Sequence, residues 1–163
     1  MSHKFPEPLI KIIPDKQLAG KRVTTSLVNN RTGELWKSFM PLRGTISGAV
    51  GAEMYSLQVY PDDYFQSFDP AKQFEKWAAI EVASDEEQPA GLELFLLQGG
   101  SYAVFYYKGS SLDHRIFGHI YQEWLPASGY GLDSRPHFEV LGDKYRNADV
   151  ESEEEIWIPV KPL

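Results

Sequence analysis

The residues in this chain able to do chemistry are few, and their spacing excludes more than it supports. There is no cysteine, so disulfides, thiolate metal sites and cysteine nucleophiles are ruled out. The four histidines are His3, His114, His119 and His137. His114 and His119 stand five apart in a helical pattern, which turns them away from one another, and no His-Glu-x-x-His spacing occurs. Neither a metal site nor any cofactor is expected. Gly99-Gly100 and Gly129-Tyr130-Gly131 lack the spacing and strand-to-helix setting of a phosphate loop, and no Gly-x-Ser-x-Gly elbow is present. The run Glu151, Glu153, Glu154 and Glu155 reads as a solvated loop and strand entry. No catalytic residue is assigned.

Bulk charge narrows the partners. Lys and Arg total 16 against 23 Asp and Glu, a formal charge of −7. Such a field repels phosphate backbones and attracts cations, so direct nucleic-acid binding is not expected. Aromatic residues make up 13% of the chain, with four Trp, nine Tyr and nine Phe. Their rings serve equally as core and as flat walls for a ligand. The opening residues lack a signal-peptide profile, and apolar runs such as 102–107 are too short for a bilayer. The reading is cytoplasmic, without a membrane segment.

The elements that would position a site follow from periodicity. Residues 9–13 and 18–27, rich in Ile, Val and Thr, suit an opening strand or bent hairpin. Leu35, Trp36, Phe39 and Met40 fall at helical spacing, and Pro41 and Gly44 are expected to end that helix. Residues 53–60 and 74–83 read as strands. Residues 92–97 and 102–107 flank Gln98-Gly99-Gly100-Ser101, a hairpin-like turn. A longer helix is expected from Ser111 to Leu125, with a stripe of Ile116, Phe117, Ile120, Tyr121, Trp124 and Leu125. Strands over 137–141 and 155–160 complete the pattern.

Two of these stretches repeat. Leu35-Trp36-Lys37-Ser38-Phe39-Met40-Pro41 matches Ile120-Tyr121-Gln122-Glu123-Trp124-Leu125-Pro126 at each apolar position, 85 residues later. Each copy follows strand and precedes two strands. The expected fold class is therefore α+β: duplicated β-α-β-β units about a pseudo-two-fold axis, an antiparallel sheet and two helices, with a groove between the halves. A single domain over 1–163 is expected, with half-repeats at about 9–83 and 92–161.

Four blocks in the second half carry a family resemblance: Gly100 to Phe105, Ile120 to Tyr130, Arg135-Pro136-His137-Phe138-Glu139-Val140, and Glu155 to Lys161. In this order and spacing they resemble the GyrI-like domain, of the SHS2 type, which occurs alone and as the effector-binding half of AraC-type and MerR-type regulators. The resemblance implies the duplicated fold and a ligand groove between the units. It also implies that a glutamate on the strand after the second helix meets the positive charge of a multidrug-type ligand, here Glu139. Alternation alone would make Glu139 part of the polar face of a half-exposed sheet.

The partner expected on these grounds is a small hydrophobic, cationic, aromatic ligand, with no DNA-binding region before the domain. Such a guest needs aromatic walls and a poorly solvated negative charge, and ring faces add about 0.5–2 kcal/mol each by cation–π attraction. Met54 stands 13 residues after Pro41, as Glu139 does after Pro126, so Met54 is expected to face Glu139 across the axis. Trp36, Tyr121 and Trp157 are the further wall candidates. Two alternatives stay open: hydrolysis of electrophilic natural products by a groove glutamate, and docking to a protein partner such as a regulator or gyrase.

Overall fold

The computed structural model describes residues 5–163; His3 lies outside the described residues. These residues form nine strands, β1 (Leu9–Ile13), β2 (Lys16–Thr25), β3 (Met54–Val59), β4 (Phe74–Val82), β5 (Glu93–Leu97), β6 (Gly100–Lys108), β7 (Tyr130–Leu132), β8 (His137–Leu141) and β9 (Glu153–Pro162). Helix α1 (Thr32–Arg43) joins β2 to β3. A second helix, α2, consists of α-helical Arg115–Gly118, a widened π-helical stretch His119–Trp124 and α-helical Leu125–Ala127.

All pairings are antiparallel, in the order β1-β6-β9-β8-β3-β4-β2-β5, with β7 added to β9. The order is a palindrome about the β3–β8 pair: β3 answers β8, β4 answers β9, β2 answers β6 and β5 answers β1. Register places the axis. Tyr55 pairs with Val140, two residues 85 apart, the same offset that relates the two helices. The duplicated α+β architecture expected above is the one observed.

The same order explains why the sheet cannot be flat. β1 and β2 are joined by Pro14 and Asp15 alone, which reach about 11 Å. Yet six strand spacings separate them in the sheet, about 29 Å if flat. Gln98 and Gly99 join β5 and β6 across the same gap. The sheet therefore curls until its ends meet, while remaining open. At the crossing Gly99 N–H donates to Asp15 Oδ1 at 2.7 Å, and Gly100 takes φ +143, a backbone that favours glycine.

Neither the expected hairpin over 92–107 nor the opening hairpin forms. β5 pairs with β2, and β1 with β6, so each half lends a strand to the other. The tight Gly99-Gly100 link serves a crossing between sheet ends rather than a hairpin reversal.

The two faces of the curled sheet hold different cores. Inside the curl lie Leu18, Tyr55, Leu57, Trp77, Leu97, Tyr102, Phe138 and Trp157. Outside, α1 packs Leu35 and Phe39 on Ala78 and Ile80, and α2 packs Ile116 and Ile120 on Phe105, Ile156 and Ile158. The strip of β3 and β8 between the helices becomes the floor of a groove.

Both helix boundaries differ from expectation. α1 runs through Pro41 to Arg43, since a proline this near the helix end forfeits one backbone bond without ending the packing of Leu35 and Phe39. α2 continues past Pro126, whose ring would crowd the carbonyl four residues earlier in a regular helix. The widened turn just before it relieves that conflict. The helix begins at Arg115 rather than Ser111. Ser110 Oγ takes the Leu112 N–H at 3.1 Å and Asp113 Oδ1 takes the Arg115 N–H at 3.1 Å. These polar side chains compete with helical bonding.

Candidate functional site

The groove floor is built by alternation. On β3 the residues facing the helices are Met54, Ser56 and Gln58; on β8 they are His137, Glu139 and Leu141. Glu139 pairs with Ser56 and Met54 with Leu141, so Glu139 and its repeat mate Met54 lie diagonally across the axis on one face. Gln58 Nε2 donates to Glu139 Oε2 at 3.1 Å. Glu139 is half-buried.

Above this floor the groove divides into two contiguous cavities of about 620 and 700 Å³, within the range of small-molecule sites. Glu139, Lys76, Phe117 and His114 border both. The first cavity runs under α1 past Trp36, Met40 and Met54 to Tyr145 and Glu154. The second runs under α2 and the segment after β3, and it is aromatic.

In that aromatic end Tyr60 lies 4.9 Å from the His137 ring, and Phe65 stacks on both His137 and Tyr121 at 5.3 and 5.5 Å. Tyr121 Oη and His137 Nδ1 are hydrogen-bonded at 2.9 Å. Burial holds the His137 imidazole neutral, with its pKa pushed down to about 3. Burial also raises the Tyr60 and Tyr121 phenols, and the Glu139 charge adds to both shifts. Residues between β3 and β4 supply Tyr64 and Phe65 as a strap over this end. Phe68 on the same segment is 85% exposed.

The floor carries two further charged groups that sequence reasoning missed. Lys76 on β4 pairs in register with Gln58 and is 8% exposed. Burial lowers its pKa, with Glu139 and Glu154 acting in the opposite direction. Glu154, at the start of β9, was read as part of a solvated acidic run; instead it borders the first cavity. Burial first and the Glu139 charge second push it up to about 8, against the pull of Lys76. The correction has a plain cause: β9 begins at Glu153, two residues earlier than expected, so alternation carries Glu154 onto the face of Ile156 and Ile158. The strand carboxylate at Glu139 is thus not alone.

The sequence-derived candidates distribute as follows. Glu139, Trp36 and Met54 border the first cavity, and Glu139 and Tyr121 the second. Trp36 meets Phe39 edge-on at 5.7 Å. Trp157 belongs to the floor strand of the second cavity, but its ring stacks on Phe138 at 5.2 Å, inside the curl. Among the described residues no group of three His, Cys, Asp or Glu could hold a metal ion, and no helix is long and apolar enough to cross a membrane.

Among curated protein sequences none matches. Among solved structures, SAV2435 bound to tetraphenylphosphonium superposes with a TM-score of 0.68 at 16% identity, covering 96% of this chain and 94% of that one. EcmrR in its DNA complex gives 0.69 at 16% identity, covering 96% of this chain and 58% of that one. A hydrolase encoded by lin2189 from Listeria innocua gives 0.63 at 10% identity, covering 95% and 92%. At these identities the likeness is one of fold. A sequence model described as the GyrI-like small molecule binding domain matches residues 6–161, nearly the whole chain, and the protein belongs to the GyrI-like family.

Proposed function

We propose that this GyrI-like domain binds hydrophobic aromatic cations in the groove between α1 and α2, with Glu139 as the counter-charge. The observation that carries the reading is the position of Glu139. It is half-buried on the central strand, it borders both cavities, and its charge is felt by Tyr60, Tyr121, Lys76 and Glu154. A carboxylate left partly desolvated among rings is costly alone and relieved by a positive guest. A neutral guest of the same shape gains the apolar contact without that relief. SAV2435, with a similar fold, was solved with tetraphenylphosphonium, which makes that lipophilic cation a reasonable first probe. Trp36, Met54 and Tyr121 act as walls in this account, and Trp157 supports the floor from inside the curl. No DNA-binding role is assigned to the groove.

The test is a titration of aromatic cationic dyes and tetraphenylphosphonium against wild type and Glu139→Gln. A loss of about ten- to a hundredfold in affinity, about 1.4–2.7 kcal/mol, is expected for the variant, with melting temperature unchanged within a few degrees. Equal binding by the two proteins would end this assignment.

A second reading is favoured by one specific group. Glu154, holding a proton near neutrality beside Glu139, has the protonation behaviour of a general acid or base. Hydrolysis of electrophilic natural products would use such a pair. Mass spectrometry of the same incubations, showing guest unchanged for the binding module and hydrated for the enzyme, separates the two.

A further inference from the structure

Binding of a simple cation leaves Lys76 unaccounted for. Its side chain is nine-tenths buried and borders both cavities. No hydrogen bond or salt bridge from the described residues reaches its ammonium. Other lysines are treated differently. Lys16 meets Glu81 at 3.3 Å, Lys108 meets Glu151 at 3.1 Å, and Lys72 donates to the Asp63 carbonyl at 3.0 Å. Each of these sits where water could have served instead; Lys76 is the buried one and is left open.

Among the described residues the fully enclosed, unpartnered side-chain atom is Arg135 Nη1, not the Lys76 ammonium, so Lys76 opens its ammonium onto the groove while most of its side chain is buried, a partial desolvation that still costs free energy. Were Lys76 the internal counter-ion of Glu139 or Glu154, direct contact would be the cheap solution. The two carboxylates act on it through space but form no ion pair with it. Its three donors therefore remain for whatever enters the cavity. A guest that carried only positive charge would meet repulsion from Lys76 within the same floor that attracts it through Glu139. A guest with a second, accepting group would turn that repulsion into a charge-assisted hydrogen bond. Register sets the spacing: Lys76 lies in line with Gln58 and His137, and Glu139 stands two residues further along β8 on the same face, about 12 Å between backbones, with both side chains borne on the floor between the helices.

We infer that the natural ligand is amphoteric, an aromatic molecule whose cationic part faces Glu139 and whose anionic or strongly accepting group, such as a carboxylate or phenolate, is bound by Lys76. This rests on the reading of Glu139 given above and adds the second half of the ligand. It also assigns Lys76 as a specificity-determining residue: it selects against lipophilic cations that lack an acceptor.

Rhodamine 110 and rhodamine 123 test this directly, because they share the cationic ring system and differ only in a free carboxylate against its methyl ester. Fluorescence polarisation should show wild type binding rhodamine 110 at least tenfold more tightly than rhodamine 123. Lys76→Met, which keeps the length and removes the charge, should bring the two within threefold, by weakening the acid and leaving or improving the ester. Lys76→Met should also melt within a few degrees of wild type, since the ammonium it removes opens onto the groove and holds no contact within the fold. Wild type binding the ester as well as the acid, or Lys76→Met weakening both dyes alike, overturns the inference. Tetraphenylphosphonium, run alongside against Glu139→Gln, keeps the two ideas apart. Glu139-dependent binding of that cation without any preference for the acid dye sinks the amphoteric ligand alone. Failure of all three probes to bind sinks the Glu139 reading with it.

Discussion

Glu154 and His137 occupy opposite ends of the groove floor and carry opposite pH linkages. Glu154 in the folded protein keeps its proton up to about pH 8, against about 4.3 in an unfolded chain. Stability it contributes is full below about pH 4.3 and is lost as pH rises to about 8, at up to about 1.4 kcal/mol per pH unit. His137 has its pKa lowered to about 3, so it disfavours folding progressively as pH falls from about 6.5 towards 3. Between about pH 4.3 and 6.5 the two slopes oppose each other, and from about 6.5 to 8 Glu154 acts without His137. The charges acting on Glu154 are Glu139 on the adjacent strand β8 and Lys76 on β4, three strands away across the floor. Urea midpoints of wild type should therefore fall between pH 6.5 and 8 relative to Glu154→Gln; parallel profiles for the two proteins would show that Glu154 is ionised at neutrality. This residue pair also marks where sequence reading stopped. Glu139 was legible because a family pattern named it, and Met54 because the repeat mapped it onto Glu139. Lys76 and Glu154 were not, since a charge in an alternating strand has the same spacing whether its face meets water or a helix.

At the scale of elements, α2 is tied to β8 by the Tyr121–His137 hydrogen bond under the stacked Phe65 ring. Tyr121→Phe keeps the ring and its packing but leaves the buried Nδ1 of His137 without that partner. A loss of about 1–3 kcal/mol in unfolding free energy is expected, and a change under about 0.3 kcal/mol would mean that solvent already serves His137. The helices themselves were legible from their stripes, down to the matching Leu35-Trp36 and Ile120-Tyr121 positions. Their ends were not. Local rules end the helical patterns at Pro41 and at Leu125, just before Pro126, because proline forfeits a backbone donor, yet both prolines fall in final turns where the packed face outweighs one missing bond. The strap bearing Tyr60, Tyr64 and Phe65 gave no periodic signal. Its rings are placed by contact with His137 and Phe74, and nothing in local spacing encodes such contacts.

For the whole molecule, the decisive feature is the exchange of β1 and β5 between halves, which makes the two repeats interdependent. Two-residue links force the ends of the sheet together, and Gly99 lies where they cross. A Cβ built there would meet the backbone of Ile13 and Pro14, and Asp15 N at 2.8 Å. Gly99→Ala should cost about 2–4 kcal/mol, in line with overpacking against immovable backbone. It should lower one cooperative transition rather than split it in two. Separate melting of the halves would contradict the interlocked description. Duplication, antiparallel character and eight of the nine strands were readable from the pattern of residues; the three-residue β7, added to β9, was not, because it is too short to show alternation. The partners of β1 and β5 were not, because adjacency in sequence favours a hairpin and only the palindromic strand order, a property of the entire chain, dictates otherwise.

Charge selection at the groove floor is the claim on which the rest depends, and calorimetry addresses it without labels. Tetraphenylphosphonium and its neutral isostere tetraphenylmethane, which carries no accepting group and is delivered in dimethyl sulfoxide, would each be titrated into wild type and Glu139→Gln. Wild type is expected to favour the cation by at least tenfold, and the variant to lose most of that preference while keeping its affinity for the neutral compound. If Glu139→Gln binds the cation within twofold of wild type, the carboxylate is not the counter-charge and the account of this groove is wrong.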